Sequence, residues 1–109
     1  MAYPNMDEWS NLHILVSENF YQTEGKALKS LNGWAEDANG TDNFGFNAIP
    51  AGVRTIEGSV IKLETKASWW TGTEASALTA NTKYIGQGVL FYWDSSYKFE
   101  GNSVRCIKD

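Results

Sequence analysis

The chain has 109 residues and a net charge of -4, with 42% hydrophobic and 14% aromatic content and five Trp among the aromatics. This length suits one domain, 1–109, with a core of its own. Lys and Arg occur only as isolated singles and no apolar stretch approaches the roughly 20 residues of a membrane span, so neither nucleic-acid binding nor membrane insertion is expected of this chain.

In chain order, the first predicted element is a helix from Asn5 to about Ser17. Asn5 with Glu8 three residues later has the spacing of a capping box, and Asp7 and Glu8 suit the positive end of the helix dipole. Met6, Trp9, Leu12, Val16 and Phe20 recur at three- and four-residue steps and form the buried stripe. His13 lies beside that stripe with no acid or thiol at a catalytic spacing, and is read as structural. Glu24 to Leu31 predicts a second, shorter helix weakened by Gly25, after which Trp34 packs back onto the body.

Asp37 to Asn43 is a dense turn signal in which Asx side chains bond nearby backbone amides; it lacks the final bidentate acid of a calcium-binding EF-hand loop. Asp42 to Gly52 then reads as a short extended segment between turns, with Phe44, Phe46 and Ala48 on one face. Gly45 is expected to admit a close neighbour, and Pro50 to end strand pairing. Ser59–Leu63 predicts a brief strand and Ala67–Thr73 a stronger one, in which Trp69 and Trp70 must point to opposite faces. Glu74–Asn81 reads as a surface loop. Thr82–Ile85 and Gly88–Trp93 read as strands around a Gly86-Gln87 turn, Glu100-Gly101-Asn102 as a turn, and Ser103–Ile107 as a last strand. The plan is α+β: one clear N-terminal helix, a second short helix, short antiparallel strands and long ordered loops.

Pro4 with Glu8-Trp9 and Leu12, Trp34, the Gly45-Phe46-Asn47-Ala48-Ile49-Pro50-Ala51-Gly52 segment, Trp69-Trp70-Thr71-Gly72-Thr73 and the Ser103-Val104-Arg105-Cys106 ending follow one order. Together they resemble the Fibrobacter succinogenes major paralogous domain, a family of Bacteroidetes and Fibrobacteres surface proteins and lipoproteins, from Tyr3 to Asp109. The resemblance implies a C-type-lectin-like mixed fold related to the formylglycine-generating enzymes. Members carry a Cys-Pro-x-Gly-Trp segment before the helix, whose Cys is a natural partner for the one near the C-terminus. Met1-Ala2-Tyr3-Pro4 is no signal peptide and retains only the Pro of that region, so Cys106 is expected to be an unpaired, buried thiol. The chain is accordingly expected to be the C-terminal part of a longer secreted or surface protein, or a shortened member of the family.

The chemistry expected of it is binding. One Cys and one His far apart in sequence do not make a thiol–copper site, and no Gly-x-Ser-x-Gly elbow is present. Trp93-Asp94-Ser95 matches the Trp-Asn-Asp motif of calcium lectins only loosely. No enzyme activity, metal or cofactor is therefore expected. Surface aromatics remain: Trp70, Tyr92, Trp93 and Tyr97, with Asp94 beside them, are the candidate ligand-binding residues for a glycan or protein partner. The reading is a non-catalytic extracellular or cell-envelope binding and adhesion module; the alternatives are a structural spacer or cap without a ligand, and a degenerate enzyme domain. Arg105 is expected to pair with an acid such as Asp42 or to stack on a Trp.

Overall fold

The computed structural model describes residues 3–106. Helix α1 spans Met6–Phe20. Its first turn is closed by the capping box: the Glu8 amide donates to Asn5 Oδ1 at 2.9 Å, and the Asn5 amide donates to Glu8 Oε1 at 3.0 Å. The helix runs three residues beyond Ser17 because the stripe continues to Phe20, and Gln22, at φ 64°, then turns the chain away. Trp9 and Val16 are buried, with Leu12 and Phe20 packed against them.

Helix α2 covers only Glu24–Leu28, short of the predicted Leu31. Lys29 leaves it extended and bridges to Ala48 in parallel fashion. Gly25 is there for space rather than as a flaw: a Cβ would meet the Leu90 carbonyl oxygen at 2.3 Å, and its amide donates to the Val89 carbonyl at 2.8 Å. Trp34 packs back as expected, its Nε1 donating to the Ala48 carbonyl at 3.1 Å.

The Asp42–Gly52 segment is a chain of turns and not an extended strand, because Asp42, Gly45 and Asn47 all have positive φ. Its turn chemistry is local: Asp42 Oδ1 accepts the Asn47 amide at 2.8 Å, and Asn39 Oδ1 accepts the Trp34 amide at 2.9 Å. Gly45 supplies backbone freedom (φ 69°) and faces open space, contrary to the close approach expected of it. Ala48 is buried, Phe46 half-buried and Phe44 exposed, so the segment enters the core progressively.

Strands β1 (Val53–Arg54) and β2 (Val60–Ile61) form a small antiparallel pair. The main sheet is three-stranded and antiparallel in the order β3 (Ala67–Glu74), β4 (Thr79–Ile85), β5 (Tyr92–Tyr97). Glu74–Asn81 is thus an exposed loop only over residues 75–78, the tip of a hairpin whose arms take in Glu74 and Thr79–Asn81. Thr79–Asn81 are all paired with β5 and Ala80 also with Glu74 of β3, and the turn is closed by the Ala75 and Ser76 amides donating to the Thr79 carbonyl. The strand predicted at Gly88–Trp93 begins instead at Tyr92. Residues 88–91 are held elsewhere, with Val89 accepting amides from α2 and Phe91 inserted in the core.

Trp69 and Trp70 do point to opposite faces: Trp69 is 5% exposed in the core and Trp70 is half-buried on the other side. The core places Trp9 and Trp69 against each other at 5.6 Å between centroids, with Phe46 and Phe91 edge-on to both. After β5 the chain returns along β3 only at Ser103, a parallel bridge to Trp69; the predicted last strand does not continue through Val104–Cys106, and Ile107 lies outside the described residues. Arg105 stacks on Phe46, 3.9 Å from the ring, and not on a Trp or Asp42. Cys106 is free, as expected, but exposed rather than buried, because the chain has left the core by then.

Candidate functional site

Register decides which side chains share a face. Opposed residues point the same way, and successive residues alternate. Trp69, Lys83 and Trp93 form one row on the inner face, which carries Asn81 and Ser95 next and ends at Thr79 and Tyr97. Ser68, Tyr84 and Tyr92 form a row on the outer face, followed by Trp70, Thr82 and Asp94.

The inner face holds a buried polar cluster. Lys83 is fully buried, its ammonium 2.7 Å from His13 Nδ1 and 4.2 Å and 3.9 Å from the ring centroids of Phe91 and Trp93. An Nδ1 that accepts from the ammonium leaves the imidazole proton on Nε2, which faces Glu24 Oε2 at 3.4 Å. Ser17 Oγ donates to that same oxygen at 2.7 Å. Burial lowers Lys83 to about 8, against the opposing pull of Glu24. Burial, then the Lys83 charge, lowers His13. Glu24 is raised by burial, but the Ser17 hydroxyl and nearby backbone amides outweigh that and leave it below the ordinary carboxylate value. His13, Phe91 and Trp93 close over Lys83, so the cluster is a packed interior feature with no opening at the ammonium.

The outer face is different. Tyr84 and Tyr92 stack at 5.0 Å with 21° between planes, and Lys66 Nζ lies 4.3 Å from the Tyr84 centroid. Burial, then the Asp94 charge, raises the Tyr84 phenol. Two hollows flank this row. One, of about 280 Å³, is lined by Lys62, Thr65, Lys66, Tyr84, Gly86 and Gln87. The other, of about 220 Å³, is lined by Tyr3, Trp70, Thr71, Ala80 and Lys98. A more apolar hollow of about 270 Å³ lies off the sheet between Trp9, Leu12, Phe46 and Arg105; its acid, Glu8, is already committed to the helix cap.

The five sequence-derived candidates therefore do not form one patch. Trp70, Tyr92 and Asp94 share the outer face; Trp93 and Tyr97 lie on the inner one, Trp93 over Lys83 and Tyr97 stacked on Phe99 at 5.0 Å. Asp94 has a local duty too. Lys98 donates to the Leu78 carbonyl, so even-numbered amides of β5 face β4 and odd-numbered ones face the open edge. On that edge the Ser95 amide donates to Asp94 Oδ1 at 2.8 Å and the Tyr97 amide to Glu100 Oε1 at 3.0 Å. Two carboxylates thus occupy donors that another strand would use. Sequence reasoning missed Tyr84 and Lys66. Strand alternation through Tyr92-Trp93-Asp94 carried the signal for splitting the set, but only the register brings Tyr84 opposite Tyr92.

A family model described as the Fibrobacter succinogenes major domain matches residues 3–108. No curated protein and no solved structure matches the chain.

Proposed function

The chain belongs to the Fibrobacter succinogenes major domain family, and from that premise we infer a non-catalytic binding module of the cell envelope or extracellular space, with a lectin-like framework. Its ligand, a glycan or a protein, lies on the outer face of the three-stranded sheet. The observation that carries this reading is the Tyr84–Tyr92 stack, with Tyr92 exposed and Tyr84 half-buried, bordered by Lys66 and Asp94 and followed along the same face by Trp70. Flat aromatic surface beside charged groups is what sugar rings and protein anchors use, the ring supplying contact area and the polar groups fixing orientation. Carboxylate capping of the β5 edge argues against a partner that adds a strand, and leaves the side-chain surface as the binding element. Trp93 and Tyr97 then serve a ligand only if it wraps round that edge.

The test is an immobilised glycan and protein panel probed with the wild-type chain and with Tyr92→Ala and Trp70→Ala. Binding that drops about ten-fold or more in either variant is the expected result. A second reading, a spacer or cap with no ligand, is favoured by how much of the aromatic content is spent internally, Trp93 covering Lys83 included. It is upheld if nothing on the panel binds in a Tyr92-dependent way.

A further inference from the structure

We propose that the hollow between Lys62, Lys66 and Tyr84 is a subsite for a sugar carboxylate, so that the outer face takes an acidic, uronate-containing glycan. This rests on the outer-face reading above and adds the ligand's chemical class and its direction.

The loop that presents the two lysines is rigid and strained. Lys62 and Glu64 have φ of 61° and 68°, in the left-handed region that side chains with a Cβ seldom occupy. Three donors converge on the Lys62 carbonyl: the Thr65 and Lys66 amides at 3.0 Å each and Thr65 Oγ1 at 3.1 Å. The Glu64 amide donates to the Pro50 carbonyl, and the Gly52 amide to that of Lys66. At Gly52, with φ 71°, a Cβ would meet the Ile61 carbonyl oxygen at 2.3 Å, so the loop is seated directly on the glycine backbone. The structure thus fixes two lysine backbones at one hollow, and the Tyr84 ring orients the Lys66 ammonium before any ligand arrives.

Two lysines line this hollow on a chain whose net charge is -4, which favours an anion there. Within the lining, Gln87 Nε2 donates to Glu36 Oε2 at 3.3 Å and Thr65 Oγ1 to the Lys62 carbonyl, which leaves the Gln87 and Thr65 side-chain oxygens to accept from sugar hydroxyls. At about 280 Å³ the space suits a single sugar residue. Asp94 lies one row further along the face and repels a second anion there, while accepting from neutral hydroxyls. The face therefore has a polarity, with the carboxylate at the Lys62–Lys66 end and uncharged hydroxyls toward Asp94 and Trp70. A polyanion such as nucleic acid or a run of phosphates does not fit this arrangement.

Calorimetric titration with tri-galacturonic acid, its full methyl ester and inorganic phosphate, at about 150 mM salt, tests the proposal. The acid is expected to bind at least about ten-fold more tightly than the ester. The double variant Lys62→Gln, Lys66→Gln is expected to abolish that preference while the ester's affinity and the melting temperature stay unchanged. Equal affinity for acid and ester, or a preference that survives in the double variant, overturns the subsite and leaves the outer-face reading standing. Phosphate binding as tightly as the acid makes this a simple anion site and overturns the saccharide assignment. Absence of Tyr92-dependent binding to any saccharide overturns the subsite, and its absence for every glycan and protein of the panel overturns both.

Discussion

Two lysines of this chain lie over aromatic rings on opposite sides of one sheet, and the contrast between them separates framework from recognition surface. Lys83 sits 4.2 Å from Phe91 and 3.9 Å from Trp93; Lys66 sits 4.3 Å from Tyr84. The ring contacts are nearly the same length. What differs is water. Lys83 is fully buried and needs His13 and, beyond it, Glu24 to be tolerated, whereas Lys66 stands at the mouth of an open hollow. Removing solvent from an ammonium costs far more than one ring returns, so the inner lysine has to be held by a network. The outer one is only half-buried and remains available to a ligand.

The largest expected effect tests whether the two faces differ as sharply as this implies. Trp69 and Trp70 are adjacent in sequence and opposite in orientation. Trp69→Ala removes a ring that touches Trp9, Phe46 and Phe91, and is expected to lower stability by about 3–5 kcal/mol in urea unfolding. Trp70→Ala, on the half-buried outer side, is expected to lower it by less than about 1 kcal/mol. Similar losses would mean that both faces are core. Next comes Phe46→Ala, expected to cost about 3 kcal/mol, since the ring is edge-on to Trp9 and Trp69 and carries Arg105 on its face. An unchanged melting curve would remove Phe46 from the framework.

That division was partly readable in advance. The capping box at Asn5 and Glu8 and the stripe from Trp9 to Val16 are local signals, complete within a few residues, and α1 forms as they specify. The opposed Trp69 and Trp70 follow from strand alternation alone. Thr79–Asn81, in contrast, reads as loop by composition and is strand because Ser95, Ser96 and Tyr97 pair with it on one side and Glu74 pairs with Ala80 on the other. Phe91 looks like the middle of a strand but is claimed by the core before β5 begins. The candidate site depends on the same long-range register: Tyr84 becomes part of it by standing opposite Tyr92, and Lys66 by lying over Tyr84. His13 has no acid or thiol partner at a catalytic spacing in sequence. Its partners, Lys83 and Glu24, come from a strand and from another helix.

Titration exposes the inner network more finely than truncation does. His13 in the folded chain lies below its ordinary 6.5, so the unfolded chain binds more protons as pH falls through that value. Its contribution is therefore present above about 6.5 and is lost on acidification, with Glu24 adding a further loss below 4.5. On the alkaline side Lys83 and Lys29 are near 8 in the folded chain against 10.5 unfolded, so stability rises between those two values. Thermal melts from about pH 3.5 to 10.5 are expected to trace this shape. Lys83→Met is expected to remove its share of the alkaline rise, about 2 kcal/mol, and to leave that of Lys29. An alkaline limb identical in the variant would show that the Lys83 ammonium is not desolvated and would erase the difference between the two lysines.

The smallest effect falls on the other lysine and completes the test. Lys66→Met preserves the aliphatic stem that lies along Tyr84 and removes only the charge. Because Lys66 is only half-buried, its ring contact is expected to contribute no more than about 0.5 kcal/mol. Urea unfolding at two salt concentrations measures it, and the change is expected to shrink further at the higher one. A loss comparable to that from altering Lys83 would place Lys66 in the framework and withdraw it from recognition. Near-neutrality leaves the Tyr84 hollow free to vary in sequence without endangering the fold, as a binding surface must.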